Sequence, residues 1–236
     1  MKMCAPSGGK ACAPMPLSRS SAPTATSCAK PRRKKSGDDK VLAKIAAPFQ
    51  PTGGIKVLSG NIGNAIIKVS AVKPERHVIE APAKVFNDQA ELQAAFKAGD
   101  LTGDFIAVVR YQGPKANGMP ELHKLMTVLG ILQDRGQRVA LVTDGRLSSA
   151  SGKVPSAIHV TPEALDGGMI GKIRTGDIIR LDAINGTLEV LLNQAVLDSR
   201  IEERPDLSGN EYGMGRELFR AFRQIAGRAD EGASVF

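Results

Sequence analysis

Two short apolar runs, 105–110 and 139–142, each end in a long polar loop rich in glycine. The first loop, Gly113-Pro114-Lys115-Ala116-Asn117-Gly118-Met119-Pro120-Glu121, opens a helix. The second, Thr143-Asp144-Gly145-Arg146-Leu147-Ser148-Ser149-Ala150-Ser151-Gly152-Lys153, follows a strand. Glycine lets a backbone turn sharply and come close to a ligand. Between them the loops carry carboxylate, hydroxyl and cationic side chains. Such a mixture at the ends of regular elements reads as the rim of a site.

The rest of the chain is cut into equally short pieces. The segment 60–69 mixes turn glycines with a β-branched run, and 76–80 and 83–86 are short strand candidates. Asn87 is a plausible N-cap for a helix with Leu92, Ala95 and Phe96 on one face, and Gly99 is its stop. Pro120 sits where a first-turn proline belongs, with Leu122, Leu125, Met126 and Leu129 at helical spacing and Gly136 at the end. Thr161-Pro162-Glu163 starts another short helix. The runs 177–181 and 187–191 flank Asn185-Gly186, a dipeptide that favours a tight hairpin with positive φ at both central residues. Leu218, Phe219, Phe222 and Ile225 make a late amphipathic helix. Many short strands with few helices, and no regular strand–helix alternation, predict an α+β domain. It is built on a closed or nearly closed β-barrel with flanking helices.

The net charge of +8 suggests nucleic acid, but its placement does not. Residues 1–37 hold Lys2, Lys10, Arg19, Lys30, Arg32, Arg33, Lys34 and Lys35 and no acid. Taking these from 32 basic residues leaves 24, which match the 24 acidic ones. The body is neutral overall, and the basic-patch argument for nucleic acid fails there. The tail 1–37, rich in Ala, Pro and Ser, is expected to be disordered, and the folded domain spans 38–236 with regular structure from near Val41. Lys30-Pro31-Arg32-Arg33-Lys34-Lys35 resembles a nuclear-localisation run, and the acid-free character resembles a transit peptide. A solvated tail with no defined task is the plainer reading. Cys4, Cys12 and Cys28 all lie in the tail and match no zinc spacing. No apolar run is long enough to span a bilayer.

Several motifs fail on inspection. Ser151-Gly152-Lys153 invites a P-loop reading, but the glycine spacing is wrong and Val154 follows the lysine. Gly167-Gly168-Met169-Ile170-Gly171 lacks dinucleotide-binding spacing. His77, His123 and His159 form no spaced motif and read as structural histidines. Glu121 suits a first helical turn by charge alone, but the costly loop before it also makes it an oxygen donor for a metal. Ser148 is an ordinary turn serine, or a hydroxyl whose anion Arg146 and Lys153 stabilise. From chemistry alone both pairs of readings stay open.

At these loops the sequence resembles the dihydroxy-acid/6-phosphogluconate dehydratase family. The segments 113–125, 141–148 and 151–164, and the ending Glu231-Gly232-Ala233-Ser234-Val235-Phe236, are similar to its 6-phosphogluconate branch. The resemblance covers about residues 38–236 and corresponds to the family's C-terminal third, a β-barrel closing over an N-terminal catalytic domain. It implies a shortened hydro-lyase of the Entner–Doudoroff route, acting on 6-phosphogluconate in the cytoplasm. It also implies a 4Fe-4S cluster and a divalent ion such as Mg. The cluster ligands belong to the absent N-terminal region, so the chain alone is expected to be inactive unless that region is supplied in cis or in trans. Ser148 matches the serine base and Glu121 the metal-binding carboxylate. Arg146 and Lys153 are candidates for substrate carboxylate or phosphate by charge. Ser149 stands where the family usually has glycine. Family members are homodimeric or larger. The alternative is a non-catalytic barrel module that binds a sugar acid or a protein partner.

Overall fold

The computed structural model describes residues 37–148 and 152–236. All of the tail but Gly37 lies outside them, as do its three cysteines, Ser149 and Ser151. Residues 37–49 and 50–236 are separate units. The first holds turns and one isolated bridge, Lys44 to Ala47. Regular structure begins not at Val41 but at Ile55.

The second unit is a closed barrel of eight strands with five α-helices. The strands are β1 (Ile55–Gly60), β2 (Gly63–Lys68), β3 (Val78–Phe86), β4 (Phe105–Val109), β5 (Val139–Thr143), β6 (Ser156–Thr161), β7 (Ile178–Asp182) and β8 (Thr187–Val190). The helices are α1 (Gln89–Ala98), α2 (Pro114–Asn117), α3 (His123–Asp134), α4 (Gln194–Ser199) and α5 (Arg220–Ile225). Around the barrel the order is β1-β2-β6-β5-β4-β3-β7-β8. β3, β4, β5 and β6 run parallel to one another, while β1–β2, β2–β6, β3–β7 and β7–β8 are antiparallel.

The parallel half explains the apolar runs. Ile106 and Val108 of β4, and Ala140 and Val142 of β5, fill the barrel interior. The alternate residues Phe105, Ala107 and Val109, and Val139 and Leu141, pack outward against Leu92 of α1 and Leu125, Leu129 and Leu132 of α3. A strand buried on both faces has no polar side to show, so it reads as a continuous apolar stretch.

The sheet is not doubly wound, yet β3–α1–β4 and β4–α3–β5 are two consecutive crossovers that composition did not reveal. The two candidates 76–80 and 83–86 are in fact the single strand β3, running through Pro82. Pro82 pairs with Ile178 of β7, whereas pairing with β4 starts only at Ala83, so its missing N–H deprives no strand partner on that side. Helix α1 is capped by Asp88 rather than Asn87. The Asp88 carboxylate accepts from the Glu91 N–H at 2.8 Å, and Glu91 Oε2 accepts from the Asn87 N–H at 2.7 Å. Gly99 ends it in the left-handed region, φ 82°.

Two other local expectations yield to longer-range bonds. Pro120 does not open α3. The helix starts at His123, because Glu121 stays extended in a parallel bridge with Arg146 and Leu122 N–H donates to the Arg146 carbonyl at 3.3 Å. The helix-opening proline is Pro114, in α2. At the β7–β8 hairpin Gly186 takes φ 75° and Asn185 does not take a positive φ. Asp182 Oδ1 accepts from Ile184 N–H at 2.9 Å and Asn185 N–H at 2.8 Å, which builds a four-residue loop instead of a two-residue one.

The barrel closes between β1 and β8 through one registered pair, Ser59 with Thr187. The Asn61 side chain reinforces it, donating to Val190 O at 2.9 Å and accepting from Val190 N–H at 2.8 Å. Gly60 lies so close that a Cβ there would meet Leu188 O at 2.0 Å. The late amphipathic segment forms as a 3-10 turn, Arg216–Phe219, followed by α5. Its apolar face, Leu218, Phe219, Phe222 and Ile225, is exposed.

Candidate active site

Because β4 and β5 are neighbouring parallel strands, the loops that leave their C-terminal ends lie side by side. In open parallel sheets that end is where ligands bind, and the parallel half of this barrel obeys the same geometry. Two buried carboxylates fasten the loops. Asp144, directly after β5 and fully buried, accepts from Gln112 N–H at 2.9 Å, Tyr111 N–H at 3.1 Å and Ala164 N–H at 3.0 Å. Glu163 accepts from Lys115 N–H at 2.8 Å and Ala116 N–H at 3.0 Å, the first turn of α2. Gly113 lets it in, since a Cβ there would sit 2.3 Å from Glu163 Oε2. From the opposite side Arg216 donates to Asn117 Oδ1 at 2.6 Å. At the root of the first loop, buried Arg110 donates to the carbonyls of Gly171 at 2.9 Å and Ile173 at 3.2 Å.

Burial raises Asp144 to about 6 and Glu163 to about 7, against the pull of the backbone N–H groups. The charges of Asp144 and Asp166 raise Glu163 further. A carboxyl group whose folded value exceeds its unfolded one binds more protons when folded. Its contribution is complete below the unfolded value and is lost as pH rises through the folded one. The domain is therefore expected to lose stability from about pH 4.5 to about pH 7, and Glu163 accounts for on the order of 2–3 kcal/mol of that loss. Urea midpoints measured across this range should fall in the native chain and fall less in Glu163→Gln. An equal slope in both would show that Glu163 is not the titrating group.

Above these anchors Glu121, Arg146 and Ser148 come together. Glu121 Oε1 accepts from the Ser148 backbone N–H at 2.6 Å, and Oε2 accepts from Arg146 Nη1 at 3.1 Å. Arg146 Nε donates to Met119 O at 2.8 Å, so its guanidinium ties both loops. Ser148, so held, lies on the wall of a cleft of about 370 Å³. Arg146, Lys68 and His159 line the same cleft, with Ile66, Val154 and Ile158 as its apolar wall.

Lys153 is not brought into this group. Its Nζ donates to Asp134 at 2.7 and 2.9 Å, at the end of α3. His159, read as structural, faces the cleft, and its N–H donates to Gly145 O at 2.9 Å. Burial, with the Arg146 charge second, lowers its pKa. Sequence reasoning also passed over Asp144 and Glu163. Asp144 did leave a signal, an acid abutting a buried strand, whereas Glu163 was taken only as part of a helix start.

Among the described residues no group of three or more His, Cys, Asp or Glu side chains could hold a metal. Glu121 fits the part of one oxygen donor, because each carboxylate oxygen keeps a lone pair beyond the bond shown. An iron–sulfur cluster does not fit, since the described residues include no cysteine.

A mixed barrel whose parallel strands β4 and β5 bring a carboxylate, an arginine and a serine together at the rim of a cleft has the form of a ligand-binding barrel domain. Residues 40–233 match the family described as dihydroxy-acid/6-phosphogluconate dehydratase C-terminal, and the chain belongs to that family. It is 71% identical over 205 residues to a phosphogluconate dehydratase of Rhizobium meliloti (strain 1021), covering 87% of this chain and 34% of the relative. It is 58% identical over 200 residues to the phosphogluconate dehydratase of Escherichia coli (strain K12), covering 85% and 33%. A dihydroxy-acid dehydratase of Methanococcus maripaludis is 34% identical over 197 residues, covering 82% and 35%. The chain thus spans about a third of the length of these curated relatives.

Proposed function

We propose that this chain is the barrel portion of a 6-phosphogluconate dehydratase. In this reading it forms 2-dehydro-3-deoxy-6-phosphogluconate and water once the remaining two-thirds of the enzyme is supplied. The observation that carries the reading is the Glu121 carboxylate gripping the Ser148 N–H at 2.6 Å, beside a cleft lined by Ser148, Arg146 and Lys68. Ser148 Oγ, as the alkoxide, takes the proton from C2 of the sugar acid while the C3 hydroxyl departs, and the enol so formed tautomerises to the 2-keto acid. An alkoxide needs positive charge nearby. Arg146 offsets the Glu121 charge and, with Lys68, favours the oxyanion and the anionic substrate. Lys153 reaches a substrate phosphate only by leaving Asp134; that ion pair is exposed, and such pairs are worth little.

Glu121 would hold a divalent ion as one of its oxygen donors, and such an ion would supply Lewis-acid help to the leaving hydroxyl. The test is reconstitution. Mixing the purified chain with the N-terminal two-thirds of the Rhizobium meliloti relative is expected to restore 2-keto acid formation from 6-phosphogluconate. A stable complex without turnover would instead favour a non-catalytic module.

A further inference from the structure

Ser156, Ile158 and His159 of β6 all line the cleft. In a regular strand successive side chains point to opposite faces, so Ile158 and His159 could not both do so. The strand breaks its alternation at this point. His159 takes φ 57°, and the pairing with β2 slips between Asn64 and Ile66. A non-glycine residue held in the left-handed region costs about 1–3 kcal/mol and persists only where its surroundings impose it. They do so here through His159 N–H to Gly145 O at 2.9 Å and Thr161 Oγ1 to His159 O at 2.9 Å. The backbone is bent at some cost, and the result is an imidazole in the cleft beside Ser148 and Arg146.

The half-buried ring makes no hydrogen bond to any described residue. Burial and the Arg146 charge keep it neutral, with one N–H donor and one nitrogen acceptor. An unprotonated nitrogen opposite a cation is poorly suited to an anion and well suited to a hydroxyl, which gives and takes a hydrogen bond. The two cations and the imidazole together describe an acid that also carries a hydroxyl group. We infer that His159 is a substrate-binding residue whose ring hydrogen-bonds a hydroxyl of the sugar acid held in this cleft. This rests on the proposed reading of the cleft as a sugar-acid site.

The chain has three histidines, so ring-detected nitrogen–proton NMR resolves each one. His77, whose Nε2 lies 3.1 Å from Val72 O, and exposed His123 act as internal controls. Titration with 6-phosphogluconate is expected to shift the His159 ring signals saturably and leave the controls still. His159→Asn, chosen because asparagine tolerates the left-handed region, is expected to weaken binding about tenfold with the barrel intact by circular dichroism. A Ser148 amide that shifts while the His159 ring stays unmoved would overturn the assignment of His159 and leave the cleft reading standing. No shift at either residue would overturn both. Unchanged affinity in His159→Asn would likewise overturn the inference.

Discussion

Ser148→Ala is expected to cut turnover of 6-phosphogluconate by the reconstituted enzyme about a thousandfold, with KM little changed. The size follows from what the substitution removes. Glu121 holds Ser148 by its backbone N–H, at 2.6 Å, and alanine keeps that N–H. The Arg146–Glu121 pair also involves no serine atom. The loop therefore stays in place while the oxygen assigned to the C2 proton is lost, so the loss falls on kcat. Steady-state kinetics on both forms decide it. An alanine variant with normal turnover would remove Ser148 from the reaction, and a raised KM at unchanged kcat would make it a binding group only.

The second large effect concerns the anchor beneath the loops. Asp144→Ala is expected to destabilise the domain by about 4 kcal/mol, since a buried hydrogen-bonding partner vanishes and its donors are left unpaired. Those donors are the N–H groups of Tyr111, Gln112 and Ala164, from two separate loops. Asp144→Asn keeps one acceptor oxygen and turns an amide N–H toward the remaining donors, so it should lose about half as much. Equilibrium urea unfolding measures both. A loss below about 1 kcal/mol in the alanine variant would mean that water replaces the carboxylate and that the loops are held elsewhere.

What could be read from the chain, and what could not, divides by distance along it. The runs 105–110 and 139–142 announced themselves because each strand is covered on both faces. The stop at Gly99 depends on neighbours a few residues away. The barrel as a class followed from the number of short strands. The side-by-side placement of Glu121 and Ser148 did not follow, because it arises from the parallel register of β4 against β5. Only resemblance to a family paired those two residues beforehand. His159 was lost for a related reason. Its direction is set by a slipped pairing with β2 and a backbone N–H bond to the Gly145 carbonyl, and no spacing rule reports either. The Asn185-Gly186 turn failed more locally, when the Asp182 side chain captured the backbone that the dipeptide would have shaped.

The single registered pair between β1 and β8 has a consequence for self-association. A barrel has no free rims only while every seam holds. Here one seam has a single registered pair, against two or more in every other, and β1 already shows Ile55 and Val57 to solvent. Parting at that line would bare two strands at once, one of them flanked by greasy side chains and ready to pair with a like strand of another molecule. Asn61, clasping both backbone groups of Val190, thus guards solubility as much as shape.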